Sequence, residues 1–570
     1  MDKQLQEKID YYLKHESYQK FKDEIITLLK DDNSNELNDR FYRELEFGTA
    51  GLRGKIAGGL NRINNFVITK TTQGIAHYLL KNNPQAKVVI GYDPRHYSRQ
   101  FAQLTAAILA QNGLQPYLFK NICPTPALAL ATVHYGAALG IMLTASHNPP
   151  EYNGYKVFAA DGSQIVSPID KEILSEIERV TMPQPANYDS LVAQNLIKLI
   201  DNDFDELYFN MALNIVDRDI FTQSKNFKAV YSALHGAGAP YVEELFKRLN
   251  SPLIVVPEQN AGDGNFPTVS YPNPEDESAL KLALNLAKKE AANLVLATDP
   301  DADRLAIAYR TKDNDYAVLN GHQAGALLAN YLLFKAGKQG IDRQNIFIVK
   351  SIVTGELEQK VALSYGAACY SALTGFKWLA QTMREQNAQG KHFILANEEA
   401  IGYLVHSAFK DKDGITAALI AYEMALYYQL AGKTLGDVLE ELYQKFGYYA
   451  DWQISQNYEG EAGLKIMQDI MTKLRQQGLS YIGAQKVMQS YDYLTGALND
   501  NGQITALNYA KSNVLQFVTE NGSRLSVRPS GTEPKIKFYL SAVVSPYNET
   551  KDKLKADIFL DDVKKLIANL

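Results

Sequence analysis

The sequence predicts an α/β fold: three similar mixed, doubly wound-like α/β domains and a smaller C-terminal α+β domain, a four-domain arrangement around a central cleft. Three observations carry this. Strand and helix signals alternate in three successive passes from Lys87 onward. Each pass ends in an apolar strand that delivers a polar cluster, and the texture changes to shorter elements after Gly447. The length of 570 residues suits about four domains at roughly 150 residues each.

The first pass opens on the strand KVVIGYD from Lys87, continues in a helix capped by Ser98 with Phe101, Leu104 and Ile108 on one face, and returns through Gly113 to LQPYLF. A second helix, with Thr125 as N-cap and Pro126 at its first position, leads into ALGIMLTA. The second pass reads FKAVYSAL, a helix from about Pro240, PLIVVP, a long helix from about Glu275, and LVLATD. The third reads NIFIVKSIV, helices, AACYSAL and HFILANEE. YYADWQISQ, GLKIMQDIMTKLRQQ, VLQFVTE, SRLSVRPSG and IKFYLSAVV then form the separate C-terminal α+β unit. Domain boundaries follow at 1–200, 201–318, 319–446 and 447–570.

Composition excludes several classes. With 46% hydrophobic and 21% charged residues, neither wholesale disorder nor a fibrous repeat is expected. Against 58 basic residues stand 64 acidic ones, a net charge of −6, so there is no general attraction to nucleic acid or anionic lipid, and any anion site is a local construction. Cys123 and Cys369 alone build neither a disulfide framework nor a cysteine zinc site, which fits a reducing compartment. The charged, amphipathic start excludes a secretory signal, so the mature protein is expected to begin there. The longest weakly polar stretch, Pro126 to Ala145, is broken by His134, Tyr135, Gly136 and Gly140 and reads as helix then buried strand rather than a membrane span. A soluble, cytoplasmic protein is expected.

Four strand-end or turn clusters carry the chemistry. In open parallel sheets, ligands gather beyond the carboxyl ends of strands, so these clusters are expected to face one cleft. Thr144-Ala145-Ser146-His147-Asn148-Pro149-Pro150 holds a serine in a turn that Pro-Pro keeps from continuing as helix. No Gly-x-Ser-x-Gly elbow surrounds Ser146, which weighs against acyl transfer, whereas a nearby lysine and a metal suit phosphoryl chemistry. Asp299, Asp301 and Asp303 alternate at a strand end, so three hard oxygen ligands can converge on Mg²⁺ or Ca²⁺. An EF-hand fails because Arg304 stands where that loop needs glycine and Arg310 where it needs an acid. Asp303 also occupies the last place of the Asp-x-Asp-x-Thr/Val pattern that a haloacid-type phosphatase would need.

In the third pass Glu398 and Glu399 are suitable acceptors for sugar hydroxyls, and Lys377, in Thr374-Gly375-Phe376-Lys377-Trp378, can meet a phosphate. In the fourth, Arg528, Ser530, Gly531 and Thr532 place a guanidinium, two hydroxyls and backbone N–H groups where they can wrap a non-reacting phosphate, with Lys535 and Lys537 beside them. Near the N-terminus, Arg53 in Phe47-Gly48-Thr49-Ala50-Gly51-Leu52-Arg53-Gly54 can reach a phosphate from a glycine-rich loop.

FGTAGLRG, TASHNPPEYNGYK, DPDADR, EEAIG and RPSGT, in this order and at domain-scale spacing, resemble the α-D-phosphohexomutase superfamily of phosphoglucomutases and phosphomannomutases over nearly the whole chain. TGFKW, EEAIGY and DKDGI look closest to its phosphoglucomutase 2/phosphopentomutase-like and bacterial α-phosphoglucomutase branch. The resemblance implies that Ser146 is the phosphoserine and that Asp299, Asp301, Asp303 and a phosphoserine oxygen hold one Mg²⁺. It also implies a candidate acid/base in Lys156, less favourably in His147, and an arginine near the phosphoserine in Arg53. Glu398 would accept sugar hydroxyls, with Arg304, Gly375 and Lys377 also on the substrate. Arg528, Ser530, Gly531 and Thr532 would form the distal phosphate loop.

The implied reaction is interconversion of α-D-glucose 1-phosphate and glucose 6-phosphate through glucose 1,6-bisphosphate, which is both intermediate and activator. A phosphopentomutase or phosphomannomutase would use the same residues. One departure is Ala400, where many members carry serine or threonine two residues after the sugar-binding glutamate. The expected partner is a small sugar phosphate, with neither nucleic acid nor membrane, and the protein is expected to be a monomer or homodimer.

Overall fold

The structure, a computed structural model, describes all residues except 1–2, 46, 48–50, 181–186, 459 and 531–534. The chain forms two compact units, one of residues 1–318 with 402–427 and the other of residues 319–401 with 428–570. Among the described residues, no helix is long and apolar enough to cross a membrane.

Two sheets organise the first unit. Strands β1 (Gly51–Lys55), β2 (Lys87–Tyr92), β3 (Gln115–Phe119), β4 (Leu139–Leu143), β5 (Tyr152–Ala159) and β6 (Lys198–Ile200) lie in the order β1-β5-β4-β2-β3-β6. β4 is buried at every position and β2 at all but its first, as expected for central strands covered on both faces. The antiparallel pair β4–β5 is what turns the chain back after the Ser146 loop. Its neighbour β1 pairs antiparallel with β5, setting Arg53 opposite Gly154 and Gly51 opposite Lys156.

The second sheet runs β11-β10-β9-β7-β8, from β7 (Ala229–Ser232), β8 (Leu253–Val255), β9 (Leu294–Thr298), β10 (Leu305–Arg310) and β11 (Tyr316–Leu319). β9 is wholly buried and ends one residue before Asp299. Residues 402–427, although distant in sequence, belong to this unit. Tyr422 anchors them, packing on Phe221, Phe227 and Phe246 and donating to the Phe227 carbonyl at 2.9 Å. At the start of the helix Gly414–Leu430, Gly414 approaches the aspartate loop so closely that a Cβ would lie 2.4 Å from the Arg304 carbonyl, so only glycine fits.

Two sequence expectations fail locally. Ser98 is not the helix cap: Tyr97 holds that place, with φ of 64°, and the buried Ser98 hydroxyl donates to Asp93 at 2.7 Å. Thr125 likewise lies inside its helix after Pro124, and its hydroxyl donates to Asp301 at 2.8 Å. In both cases the residue is the first of its helix rather than the cap before it, and its hydroxyl donates to a buried carboxylate in a charge-assisted bond.

In the second unit, β12 (Ile346–Ser351) pairs in parallel with β13 (Ala368–Ala372) on one side and β14 (His392–Glu398) on the other. The C-terminal sheet is antiparallel and contains β15 (Tyr448–Asn457), β16 (Leu515–Thr519), β17 (Arg524–Pro529) and β18 (Lys535–Val544). β17 lies between β16 and β18. Leu525 and Val527 point into the C-terminal core, which leaves Arg524, Ser526 and Arg528 on the other face.

Behind β14, Gly325 of the helix Gly321–Lys338 leaves room for polar side chains: a Cβ there would lie 1.9 Å from Asn397 Nδ2 and 2.9 Å from Glu358 Oε2. Asn397 donates to Glu358 at 2.7 Å, yet burial still pushes the Glu358 carboxyl up to about 7. Because its folded pKa is raised, the stability tied to neutral Glu358 is complete below the ordinary carboxylate range and is lost as pH rises through 7. Glu358→Gln should therefore match the parent at pH 5 and exceed it at pH 8, by up to about 3 kcal/mol from roughly 1.4 kcal/mol per pKa unit. Thermal melts at both pH values check this, and a pH-independent difference would contradict it.

Candidate active site

Ser146 follows β4 in a left-handed conformation, φ 54°, uncommon for a residue with a Cβ. The loop tolerates it because it is gripped from behind. The buried Arg95 guanidinium donates to the carbonyls of Ser146 at 2.6 Å, Pro149 at 2.8 Å and Tyr152 at 3.2 Å, and also to that of Asn148. Asp93 balances it at 3.4 Å and accepts from Thr144 Oγ1 at 2.6 Å, while Thr144 Oγ1 accepts the Ser146 N–H at 2.8 Å.

The Ser146 hydroxyl donates to Asp299 Oδ2 at 2.7 Å, and its oxygen lies 3.2 Å from His147 Nδ1. The His147 ring in turn packs edge-on against Tyr271 at 5.7 Å. Asp299, Asp301 and Asp303 are fully buried, with one oxygen of each within 4.8 Å of the others. The backbone N–H groups of Asp303 and Arg304 both donate to Asp299 Oδ1 at 3.1 Å, curling the loop around that carboxylate. Thr125 ties the loop to the first sheet through its hydroxyl and through its N–H to the Asp301 carbonyl at 2.9 Å.

Lysines supply the opposing charge. Lys156 on β5 lies 2.7 Å from Asp301 Oδ2 and 3.3 Å from Asp303 Oδ2. Lys412 reaches Asp303 Oδ2 at 3.3 Å and Asp411 at 3.1 Å, and Gln164 donates to Asp411 at 2.9 Å. Burial, reinforced by Asp301 and Asp303, pushes the Asp299 carboxyl well above the usual range. Burial acts on Asp301 in the same sense, but Lys156 and hydrogen bonds outweigh it and hold that carboxyl well below. For Lys156, burial pulls downward and the two aspartates override it, so its pKa is raised and the ammonium form is favoured.

A metal fits this set. Asp301 Oδ1 and Asp303 Oδ1 are buried with no hydrogen-bond partner, and three convergent carboxylates are a hard-oxygen donor set. Arg53 donates to Asn148 Oδ1 at 3.4 Å, within the serine loop. Arg304 turns to Glu275 at 3.5 Å and Asp303 at 3.8 Å.

The second unit gathers the other predicted residues. Glu398 Oε1 accepts the Gly375 N–H at 2.7 Å, and Gly375 adopts φ of 108°, which favours glycine. Lys377 is largely buried, its ammonium 5.3 Å from the Trp378 ring centroid. Glu399 accepts from Ser351 Oγ at 2.7 Å and from Thr354 Oγ1 at 3.4 Å. The hydroxyl of Tyr539 is raised by burial and by Glu399 and lowered by Arg528, which hydrogen-bonds it, so Glu398 at the end of β14, its neighbour Glu399 and the arginine of β17 share one neighbourhood. Ser530 donates its N–H to the Lys535 carbonyl at 2.8 Å, whereas Gly531 and Thr532 lie outside the described residues.

Sequence reasoning missed Lys412 and Arg95. Lys412 sits between two acids in Asp411-Lys412-Asp413, a pattern that marks a paired cation; Arg95 follows the strand β2 by three residues and carried no signal of its own.

The chain matches the Phosphoglucomutase/phosphomannomutase descriptions for alpha/beta/alpha domain I over residues 44–184, domain II over 206–312, domain III over 320–446 and the C-terminal domain over 486–557. It is 34% identical over 542 residues to a phosphoglucomutase of Staphylococcus saprophyticus, covering 93% of this chain and 97% of that one. A phosphoglucomutase of Staphylococcus aureus is 36% identical over 530 residues, covering 92% and 94%. In fold, the chain resembles the open form of pp63/parafusin from Paramecium with a TM-score of 0.68 at 19% identity, covering 91% and 95%.

Arg95→Met would leave Asp93 buried without its cation and release four carbonyls of the serine loop. A loss of about 3–5 kcal/mol in denaturant unfolding is expected; a loss below about 1 kcal/mol would show that the grip is dispensable.

Proposed function

The chain belongs to the phosphoglucomutase/phosphomannomutase family, and from that premise we propose that it interconverts α-D-glucose 1-phosphate and glucose 6-phosphate through a phosphorylated Ser146. The observation that carries this reading is the Ser146 hydroxyl 2.7 Å from Asp299, within a buried carboxylate triad countered by Lys156 and Lys412. A serine in that position suits phosphoryl exchange, because Arg95 fixes its loop through the backbone carbonyls and leaves the hydroxyl oxygen to take and release the phosphoryl group.

In the forward half-reaction a hydroxyl of the sugar monophosphate forms the new O–P bond as its proton passes to His147, the bond from phosphorus to Ser146 Oγ breaks, and a bisphosphate results. In the reverse half, the other phosphoryl group returns to Ser146 Oγ. Lys156, held as an ammonium, donates a proton or hydrogen bonds as charge develops on the serine oxygen; such acid–base help is worth about 10²–10⁴-fold. On the return the protons retrace these steps, the Ser146 hydroxyl proton passing to Lys156 and the proton held by His147 to the sugar oxygen. Asp299, Asp301 and Asp303 would hold Mg²⁺, which when bound neutralises phosphoryl oxygens. Arg53, next to the serine loop through Asn148, would contact the reacting phosphate.

Glu398, aligned by the Gly375 N–H, would accept sugar hydroxyls, with Lys377 and Arg304 contributing to the substrate site. Arg528 with Ser530, Gly531 and Thr532 would hold the phosphate that is not reacting. Glucose 1,6-bisphosphate would serve as intermediate and primer. The free cysteines Cys123 and Cys369 support a cytoplasmic setting, and either a monomer or a homodimer would suffice. Ala400 leaves no hydroxyl two residues after Glu398, which keeps a pentose or mannose phosphate as the second reading; relative rates on the glucose, mannose and ribose 1-phosphates decide it.

Ser146→Ala should abolish turnover of glucose 1-phosphate and leave the melting transition within a few degrees; full activity in that variant overturns the assignment. Asp303→Asn should remove Mg²⁺ binding measured by calorimetry, and undiminished binding would place the ion elsewhere. Arg528→Ala should raise KM at least tenfold, and unchanged kinetics would assign the distal phosphate to another group.

A further inference from the structure

From Ser351 at the end of β12 to Glu356 before the helix Leu357–Ser364, the chain is hydrogen-bonded from both sides. On one side, Ser351 Oγ donates to Glu399, the neighbour of Glu398, and also lies 3.0 Å from Thr354 Oγ1. On the other, the C-terminal sheet takes hold. Arg524 of β17 meets Glu356 Oε1 at 2.5 Å and donates to the Ile352 carbonyl at 3.3 Å. Gln516 of β16 donates to the same carbonyl at 2.9 Å and to Ser526 Oγ at 2.9 Å.

Below the loop, the buried Lys350 ammonium donates to the Thr354 carbonyl and to Glu356 Oε1, each at 3.0 Å. Glu356 Oε1 therefore serves two cations at once. Burial works to raise its carboxyl, but Lys350 and Arg524 hold it down at about 2, so it is an anion throughout the physiological range. A carboxylate fixed between a buried lysine and an arginine on another sheet is a charge-assisted joint with defined geometry rather than a sliding contact.

Position along β17 gives the joint its consequence. Arg524 and Arg528 lie on one face of the same strand, four residues or about 13 Å apart. Fixing Arg524 therefore fixes where Arg528 stands relative to Glu398. We propose that Glu356 and Arg524 are positioning residues that set the spacing between the hydroxyl-accepting glutamate and the distal-phosphate arginine, and thereby the affinity for sugar phosphates. This rests on the mutase reading above. Neither residue need touch substrate.

The test compares Arg524→Met and Arg524→Lys with the parent enzyme. In Arg524→Met, KM for glucose 1-phosphate should rise about tenfold while kcat changes less than about threefold, as expected for one charge-assisted bond lost outside the reacting centre. Arg524→Lys, which keeps the charge, should restore KM to within about threefold. An unchanged KM in Arg524→Met, or a kcat loss at constant KM, overturns the proposal. Amide hydrogen exchange separates its failure from that of the mutase reading. Faster exchange in Ser351–Glu356 and Arg524–Pro529 of Arg524→Met, with the core strands unchanged, is expected whichever sugar the enzyme uses. Unchanged exchange in those segments overturns the joint even where turnover of glucose 1-phosphate is confirmed.

Discussion

Three carboxylates buried within reach of one serine are the constraint around which the first unit is built. Like charges in a low-dielectric interior repel, and each lacks the water that would otherwise stabilise it. The chain answers with two lysines from distant segments, Lys156 on β5 and Lys412 in the segment 402–427, and with backbone N–H groups curled onto Asp299. Two carboxylate oxygens remain without a hydrogen-bond partner, and the three convergent carboxylates are a donor set that could hold a metal ion. Lys412 can reach only because Gly414 admits the Arg304 carbonyl and Tyr422 anchors its helix among Phe221, Phe227 and Phe246.

The serine loop obeys a second version of the same rule. Its left-handed residue and its row of carbonyls would be costly alone, and Arg95 satisfies four of those carbonyls at once. Ser146 is thus presented by a frame that does not depend on its own hydroxyl. The second unit treats Glu398 and Arg528 similarly, each aligned by a neighbour, Gly375 for the one and Tyr539 for the other.

Much of this was legible in the sequence because apolar strands ending in polar clusters have a periodic signature. β4, β9 and β14 stop where Thr144, Asp299 and Glu398 predict, and alternation alone identified the aspartate triad. What escaped was long-range pairing. Thr125 reads as a helix cap because a hydroxyl near a helix start usually caps, yet it lies inside its helix and donates to Asp301, 176 residues further along the chain. The local acids around Lys412 mark a paired cation but not its place in the site: its partner Asp303 lies more than a hundred residues away, and the return of residues 402–427 to the first unit brings them together. Arg95 bonds carbonyls, which have no sequence signature at all.

The central claim is that Ser146 itself carries the phosphoryl group during turnover. Intact mass after incubation with glucose 1,6-bisphosphate, followed by peptide mapping, tests it most directly. A single phosphoryl increment of about 80 Da on the peptide containing Ser146, discharged on adding glucose 1-phosphate, is the predicted result. Turnover of glucose 1-phosphate by protein that never carries phosphate on Ser146, or carries it on another residue, would contradict the account.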